Sequence, residues 1–316
     1  MHSNQDIIHI GCGYWGQNIA RSLQSLGALH SVCDLNSSLA KGFAKEINTK
    51  VISFDDALSS EARGITLATP AENHFESGLQ VLSAGKNLYI EKPVTLNLSE
   101  AIELKALAKK NGLIVQVGHL LLYHEAFRVI KKLIDTQFLG EIIYIYSNRL
   151  SWGKIRKFEN IFWSFAPHDI SLLNFLIQES LTLKNFYSSK LLGNNIEDVG
   201  HIFLSSNSGI NCHINVSWLH PIKEHKLTII GQKKSVQFID DGRDFIEVFS
   251  NEEKIITEEK LPSLKKEKMF FNSKELPLTI ALKSFISSIK NNTTPLASID
   301  NGIEVVKILE EIEKKK

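Results

Sequence analysis

Apolar and polar positions change period near the middle of the chain. Up to Gly118, short apolar runs alternate with stretches of helical periodicity, the sequence form of repeated βαβ units. Strands are predicted at Ile7–Ile10, Leu29–Cys33, Val51–Ser53, Ile65–Ala68, Asn87–Ile90 and Ile114–Val117. Helices are predicted at Trp15–Leu26, Ser37–Glu46, His74–Ala84 and Ser99–Asn111. Uninterrupted apolar strands flanked by helices predict a doubly wound parallel sheet covered on both faces.

Beyond Gly118 one helix is predicted at His124–Thr136, and from Gly140 the pattern becomes β-rich. The runs are Ile142–Asn148, Leu183–Ser188, Ile202–Ser205, Ile210–Ser217, Lys226–Ile230, Val236–Ile239, Phe245–Phe249 and Lys254–Ile256, interrupted by a helix at His168–Leu176. Period-two alternation in Ile210–Trp218 predicts a large open sheet, mostly antiparallel, with one face covered and the other free for water or a second subunit. The Lys/Glu-rich stretch Glu252–Lys274 reads as solvated loop or edge strand. Helices at Pro277–Lys290 and Asn301–Lys315 close the chain. The expected division is residues 1–118 for ligand binding and 119–316 as an α+β domain for substrate and oligomerisation, with the last helix free to return to the first domain.

Composition narrows the function classes. Lys plus Arg number 36 and Asp plus Glu 35, a formal charge of +1, which lacks the basic footprint of a nucleic-acid partner. Apolar residues reach 43%, enough for a sizeable core in a chain of roughly two domains. No apolar run is long enough for a membrane span, and the first residues lack the pattern of a signal peptide. Three cysteines, Cys12, Cys33 and Cys212, suit a reducing, cytoplasmic setting better than a disulfide framework. The histidines show no metal-ligand spacing, so no metal is expected.

Chemistry enters with Gly11-Cys-Gly13-Tyr-Trp-Gly16, directly after the first strand and opening a helix. In this context the first glycine permits a tight turn, the second lets backbone approach a pyrophosphate, and the third lets helix pack on strand. Tyr14 and Trp15 flank the turn, placed to cover the pyrophosphate. Asp34 ends the second strand, where a carboxylate can accept the adenosine ribose hydroxyls and would repel a 2′-phosphate. NAD is therefore expected over NADP. The competing reading is a ligand-free glycine turn with Asp34 as a helix cap.

Three further segments end strands: Ala68-Thr69-Pro70-Ala-Glu-Asn73-His74, Glu91-Lys92-Pro93 and Val117-Gly118-His119. Together with the glycine loop they resemble the Gfo/Idh/MocA family of nicotinamide-dependent sugar oxidoreductases. The resemblance spans nearly the whole chain. It implies an N-terminal Rossmann domain, with Thr69, Pro70, Asn73, His74, Glu91 and Lys92 around the cofactor and Lys92 acting on a sugar hydroxyl. It also implies a cis peptide before Pro93. Gly118-His-Leu-Leu-Leu-Tyr-His124 and Trp163-Ser-Phe-Ala-Pro-His168-Asp169 are similar to members acting on nucleotide-linked amino sugars. UDP-N-acetylglucosamine 3-dehydrogenases of surface-polysaccharide pathways are among these.

His168, expected at the start of a helix after a Trp-Ser-Phe-Ala-Pro loop, can accept and return a hydroxyl proton near neutral pH. Many members of the family place acids at the positions held here by Ser164 and Ser171, so the assignment rests on Lys92 with His168. Arg149 and Arg156 suit a diphosphate, and Lys154 and Asn160 lie nearby. Trp163 is either a stacking surface for a sugar or core. Asp169 is either a substrate contact or a helix cap, and His119 and Tyr123 either touch substrate or pack at the domain junction. The expected activity is NAD-dependent hydride transfer at a ring carbon, carbon 3 in particular, of a nucleotide-linked amino sugar, by a homodimer or homotetramer. A ketosugar reductase, an inositol or free-sugar dehydrogenase and a non-catalytic dinucleotide sensor are the alternatives.

Overall fold

The computed structural model describes residues 6–153, 155–156, 159–193, 195–251 and 264–316. The chain forms two compact units, residues 1–123 with 275–310 and residues 124–274 with 311–316.

The first unit begins β1 (Ile7–Ile10), α1 (Tyr14–Ser25), β2 (Leu29–Cys33), α2 (Ser37–Glu46), β3 (Lys50–Val51) and α3 (Phe54–Ser59). It continues β4 (Gly64–Leu67), α4 (His74–Ser83), β5 (Asn87–Ile90), α5 (Leu98–Asn111) and β6 (Val115–Val117). The strands form one parallel sheet in the order β3-β2-β1-β4-β5-β6. Each strand except β3 is buried on both faces: Ile7, Ile8, Val32, Ile65, Leu67, Leu88, Ile90 and Val117 are at most 1% exposed. That explains why these strands read as apolar runs rather than alternations. The predicted strand at Val51–Ser53 is cut short, because Ser53 caps α3 in a reciprocal box with Asp56. Such a cap draws the backbone into a helix.

The second unit holds α6 (Glu125–Asp135), β7 (Ile142–Trp152), α7 (Ile161–Ile177), β8 (Leu181–Ser189), β9 (Val199–Ser206) and β10 (Asn211–Ser217). Four strands follow: β11 (Leu219–Gly231), β12 (Lys234–Ile239), β13 (Phe245–Asn251) and β14 (Leu264–Phe270). They build an eight-stranded sheet in the order β14-β13-β12-β11-β7-β10-β9-β8. Among the described residues the one parallel pairing in that order is β7 with β10. Ile145, Ile202, Leu204, Ile214, Val216, Leu227 and Ile229 are buried, and α7 packs on β7, β9 and β10. The Lys/Glu-rich stretch contributes β14 as an edge strand, a place where exposed lysines discourage further pairing. The strand expected at Lys254–Ile256 lies outside the described residues.

The α7 helix corrects one expectation. It starts at Ile161, seven residues before the predicted His168, and Pro167 lies inside it. A proline in a helix removes one hydrogen bond and costs about 3 kcal/mol. Burying Phe162, Ile170, Leu173 and Leu176 contributes about 1.5–3 kcal/mol each, so tertiary packing carries the helix through the proline.

The chain then returns to the first unit as α8 (Pro277–Asn291) and α9 (Ile299–Lys314). Phe285 of α8 meets Tyr89 edge-on at 5.9 Å, and Gln116 Nε2 donates to the Ala281 carbonyl at 2.8 Å.

Candidate active site

In a parallel sheet the carboxyl ends of the strands form the edge where ligands bind. Here β1, β4, β5 and β6 end in the glycine turn, Thr69, Glu91-Lys92 and His119.

The three glycines of the turn differ in what surrounds them. A Cβ on Gly11, whose φ is +101°, would meet the Ala68 carbonyl oxygen at 2.5 Å, and one on Gly16 would meet the Gly11 oxygen at 1.7 Å. A Cβ on Gly13 would meet no protein atom within 4 Å. Gly11 and Gly16 are therefore demanded by the fold, whereas no protein atom fills the space beside Gly13. Beneath the turn lies His9, which the sequence reading passed over. It is fully buried, with Nε2 2.8 Å from the Gly11 carbonyl and Nδ1 2.8 Å from the Thr66 hydroxyl. Burial pushes its pKa down to about 4, against smaller opposing effects of the Gly11 bond and the Asp34 charge, so the turn rests on a neutral ring.

Asp34 accepts the Cys12 amide at 2.6 Å and the Asn36 amide at 2.7 Å. It thus ties the glycine turn to the end of β2 while remaining half-exposed. Tyr14 is 91% exposed. Cys12 is buried, and burial, with the Asp34 and Cys33 charges, pushes its thiol up to about 12, so it is not a nucleophile.

Trp15 is partly exposed at the start of α1, and its indole N–H is among the groups that favour the charged Glu91 carboxylate. Glu91 also receives the Tyr89 hydroxyl at 3.4 Å and the Lys92 amide at 3.3 Å. Burial raises its pKa, and the Trp15 bond and the Lys92 charge oppose that rise. A Cβ at Gly118 would strike the Glu91 carboxyl at 2.6 Å, so the glycine after β6 makes room for this group. Lys92 is half-buried and its bond to Pro93 is cis.

Around β4, Pro70 precedes a single turn at Ala71–Asn73 and Asn73 is exposed. His74 is 1% exposed, with Nδ1 2.7 Å from the Pro93 carbonyl and Nε2 2.9 Å from the Thr69 carbonyl. Its ring links two strand-end loops, and burial lowers its pKa. Tyr123 likewise faces its own unit: its hydroxyl donates to Ser284 at 3.3 Å and accepts the Ala297 amide at 3.2 Å.

In the second unit, His168 is half-buried on α7 and shares a helix face with Ser164 and Ser171, which lie four residues before it and three after. Asp169, one residue on, points about 100° away and meets β7. It accepts Arg149 Nε at 2.6 Å, Arg149 Nη2 at 3.2 Å and the Ser147 hydroxyl at 2.7 Å. Arg149, read from sequence as a diphosphate ligand, and Asp169, read as a substrate contact or a helix cap, form a buried ion pair that holds β7 to α7. Asn160 caps α7, accepting the Phe162 and Trp163 amides. Its Nδ2 and the Trp163 indole N–H both donate to Glu313, at 2.8 and 3.0 Å. These two side chains thus hold the final helix turn. Arg156 remains about half-exposed, 3.9 Å from Glu159, and Lys154 lies outside the described residues.

Among the described residues no cluster of three His, Cys, Asp or Glu could hold a metal, and no helix is long and apolar enough to cross a membrane. A parallel sheet with a dinucleotide turn at β1 and a lysine at the end of β5 belongs to the nicotinamide-dependent oxidoreductases. The oxidoreductase-family model for the NAD-binding Rossmann fold matches residues 6–119, and the Gfo/Idh/MocA C-terminal domain model matches residues 127–237. The chain belongs to the Gfo/Idh/MocA oxidoreductase family.

A UDP-N-acetylglucosamine 3-dehydrogenase from Acidithiobacillus ferrooxidans is 28% identical over 164 residues, 52% of this chain and 51% of the relative. A 2,7-anhydro-N-acetylneuraminate hydratase from Mediterraneibacter gnavus is 26% identical over 179 residues, 53% of this chain and 48% of the relative. The chain thus spans about half the length of these curated relatives. Among solved structures, the Acidithiobacillus dehydrogenase superposes with a TM-score of 0.86 at 20% identity, covering 98% of this chain and 96% of that one. A 3-ketoreductase from Actinomadura kijaniata, in complex with TDP-benzene and NADP, gives 0.81 at 14% identity, covering 96% and 95%.

Proposed function

We propose that this protein is an NAD-dependent dehydrogenase acting on a ring hydroxyl, at carbon 3, of a nucleotide-linked amino sugar in surface-polysaccharide or lipopolysaccharide synthesis. The observation that carries the reading is that a dinucleotide turn with open space at Gly13 and a strand-end Lys92 stand on one edge of one parallel sheet. The partial match to a UDP-N-acetylglucosamine 3-dehydrogenase supports the substrate class.

The turn from Gly11 to Gly16 would hold the pyrophosphate at the N-terminus of α1, where backbone N–H groups and the helix dipole favour negative charge. Asp34 would accept the ribose hydroxyls, and its carboxylate disfavours a 2′-phosphate. When bound, NAD supplies the acceptor for the hydride leaving the carbinol carbon. Lys92 hydrogen-bonds the reacting hydroxyl and stabilises the charge that develops on its oxygen. His168 takes up the hydroxyl proton and returns it in the reverse direction. Arg156 is the cation we assign to the sugar's diphosphate.

We also assign a second copy of this chain as the protein partner, in a homodimer or homotetramer. The support is an exposed aromatic row on the eight-stranded sheet, with Tyr146, Phe203 and Tyr187 each more than a third exposed.

The test is absorbance at the NADH band with NAD and a panel of UDP- and dTDP-sugars. One nucleotide sugar should drive NADH formation, and Lys92→Ala should reduce its turnover at least about 100-fold. Tight NAD binding with no turnover of any sugar would favour a sensor, and full turnover by Lys92→Ala would remove the lysine from the mechanism.

A further inference from the structure

Among the described residues, two side-chain groups at the carboxyl edge of the six-stranded sheet are buried with no hydrogen-bond partner: the Thr69 hydroxyl and Nε2 of His119. The hydroxyl can rotate to donate or accept, whereas the histidine is more specific. His119 follows β6, is 1% exposed, and its Nδ1 lies 2.6 Å from Oδ1 of Asn301 on α9. An amide oxygen only accepts, so the ring proton resides on Nδ1 and Nε2 presents a bare lone pair. Buried acceptors without a donor are uncommon in folded proteins, and each calls for an explanation.

The electrostatics settle what this atom can do. Burial first, and then the Lys92 charge, push the ring down to about 4, with the Asn301 bond opposing. A base that weak does not take up a proton at neutral pH. It remains a good hydrogen-bond acceptor, and its lone pair can be satisfied only by a donor. His119 and Lys92 follow β6 and β5, neighbouring strands of the sheet, and the Lys92 charge reaches the ring.

We propose that Nε2 of His119 accepts a hydrogen bond from a second hydroxyl of the bound sugar, one that does not react, and so selects which ring hydroxyl is presented to Lys92. Asn301 is the positioning residue that holds the ring in the required tautomer. The inference rests on the sugar reading above and adds to it a specificity: a substrate lacking that hydroxyl leaves a buried acceptor unpaired and is rejected.

The test begins with the full chain labelled with 15N-histidine, the His119 signals assigned by their loss in His119→Phe. Nε2 should be unprotonated, and the ring should not titrate between pH 8 and about 5. A proton on Nε2, or titration above pH 6, overturns the inference by itself and leaves the sugar reading untouched. NADH is then added with UDP-N-acetylglucosamine, dTDP-glucose or myo-inositol, combinations in which an alcohol meets the reduced cofactor and no turnover occurs. The sugar that binds should shift the Nε2 resonance in the direction of hydrogen bonding. Saturable binding seen at other residues with Nε2 unmoved overturns the inference and marks the lone pair as serving an internal water. Binding by none of the three overturns the sugar reading and this inference together. In turnover, His119→Phe should raise the KM for the sugar about 5- to 150-fold, the range expected when one buried hydroxyl loses its hydrogen-bond partner. NAD affinity should stay unchanged, and His119→Gln, which restores an acceptor oxygen, should recover part of the loss. A KM within twofold of wild type in His119→Phe also overturns it.

Discussion

Asp34 accepts the backbone N–H of Cys12 at 2.6 Å, joining the end of β2 to the middle of the glycine turn. One carboxylate therefore shapes the turn and is also the group proposed to hold the ribose. Removing it should act on both. Asp34→Ala is expected to weaken NAD binding about 10- to 100-fold, the scale of one or two charge-assisted hydrogen bonds. The loss for NADP should be smaller, since the repulsion of a 2′-phosphate disappears with the carboxylate. Calorimetric titration of both cofactors reads the two effects, and equal losses would remove Asp34 from cofactor choice.

The glycines separate folding from binding. Gly16→Ala puts a methyl 1.7 Å from the Gly11 oxygen, so the variant should melt at lower temperature and bind no NAD. Gly13→Ala meets no protein atom within 4 Å and should melt as wild type does while binding NAD more weakly. Thermal melts with and without NAD check this pair, and identical behaviour of the two variants would contradict it.

The Arg149–Asp169 pair makes a stability prediction. The two side chains are 12% and 2% exposed. Removing one partner of a buried pair leaves an uncompensated charge and costs about 3–5 kcal/mol. Asp169→Ala should therefore lose that much in urea unfolding, and the double variant Arg149→Met with Asp169→Leu should recover most of it. A single variant as stable as wild type would show that the pair does not hold β7 to α7.

Buried neutral histidines set an acid limit. The rings of His9 and His119 have an ordinary value of 6.5 and are held at about 4 in the fold, chiefly by burial. Between these values the unfolded chain binds protons that the folded chain does not. Stability from these rings is complete above pH 6.5 and falls as pH drops toward 4, by up to about 1.4 kcal/mol per pH unit for each ring. Urea midpoints should decline from pH 6.5 to 4.5, less steeply in His9→Gln. A flat wild-type profile over that interval would refute the assignment.

The aromatic row on the open sheet face predicts self-association. Light scattering should give twice or four times the chain mass, and Tyr146→Lys with Phe203→Glu should reduce it. A wild-type mass of one chain would dismiss the second-copy partner.

Local pattern carried far in the first unit. Strands buried on both faces must be apolar throughout, so β1, β2, β4 and β5 stood out along the chain. The turn between β1 and α1 announced itself because Gly11 adopts φ +101°, a conformation that other residues avoid. Lys92 was legible from its strand-end tripeptide. The helix at Ile161 was not, because Pro167 ordinarily marks a helix start, and only burial of α7 against its sheet overrides that preference.

Partner choice was beyond local pattern. Nothing near Trp163, Arg149, Trp15 or Tyr123 announces Glu313, Asp169, Glu91 or Ser284, since these groups meet only after distant segments pack. His9 and Asn301 carry no motif at all, and their roles come from the atoms the fold places beside them. The sequence by itself determined the parallel sheet, the glycine turn and the place of the strand-end lysine, because each depends on backbone conformation or short-range spacing. The tertiary structure decided which polar side chains are already taken and which, like His119, still lack a partner, because hydrogen bonds are satisfied in space and not along the chain.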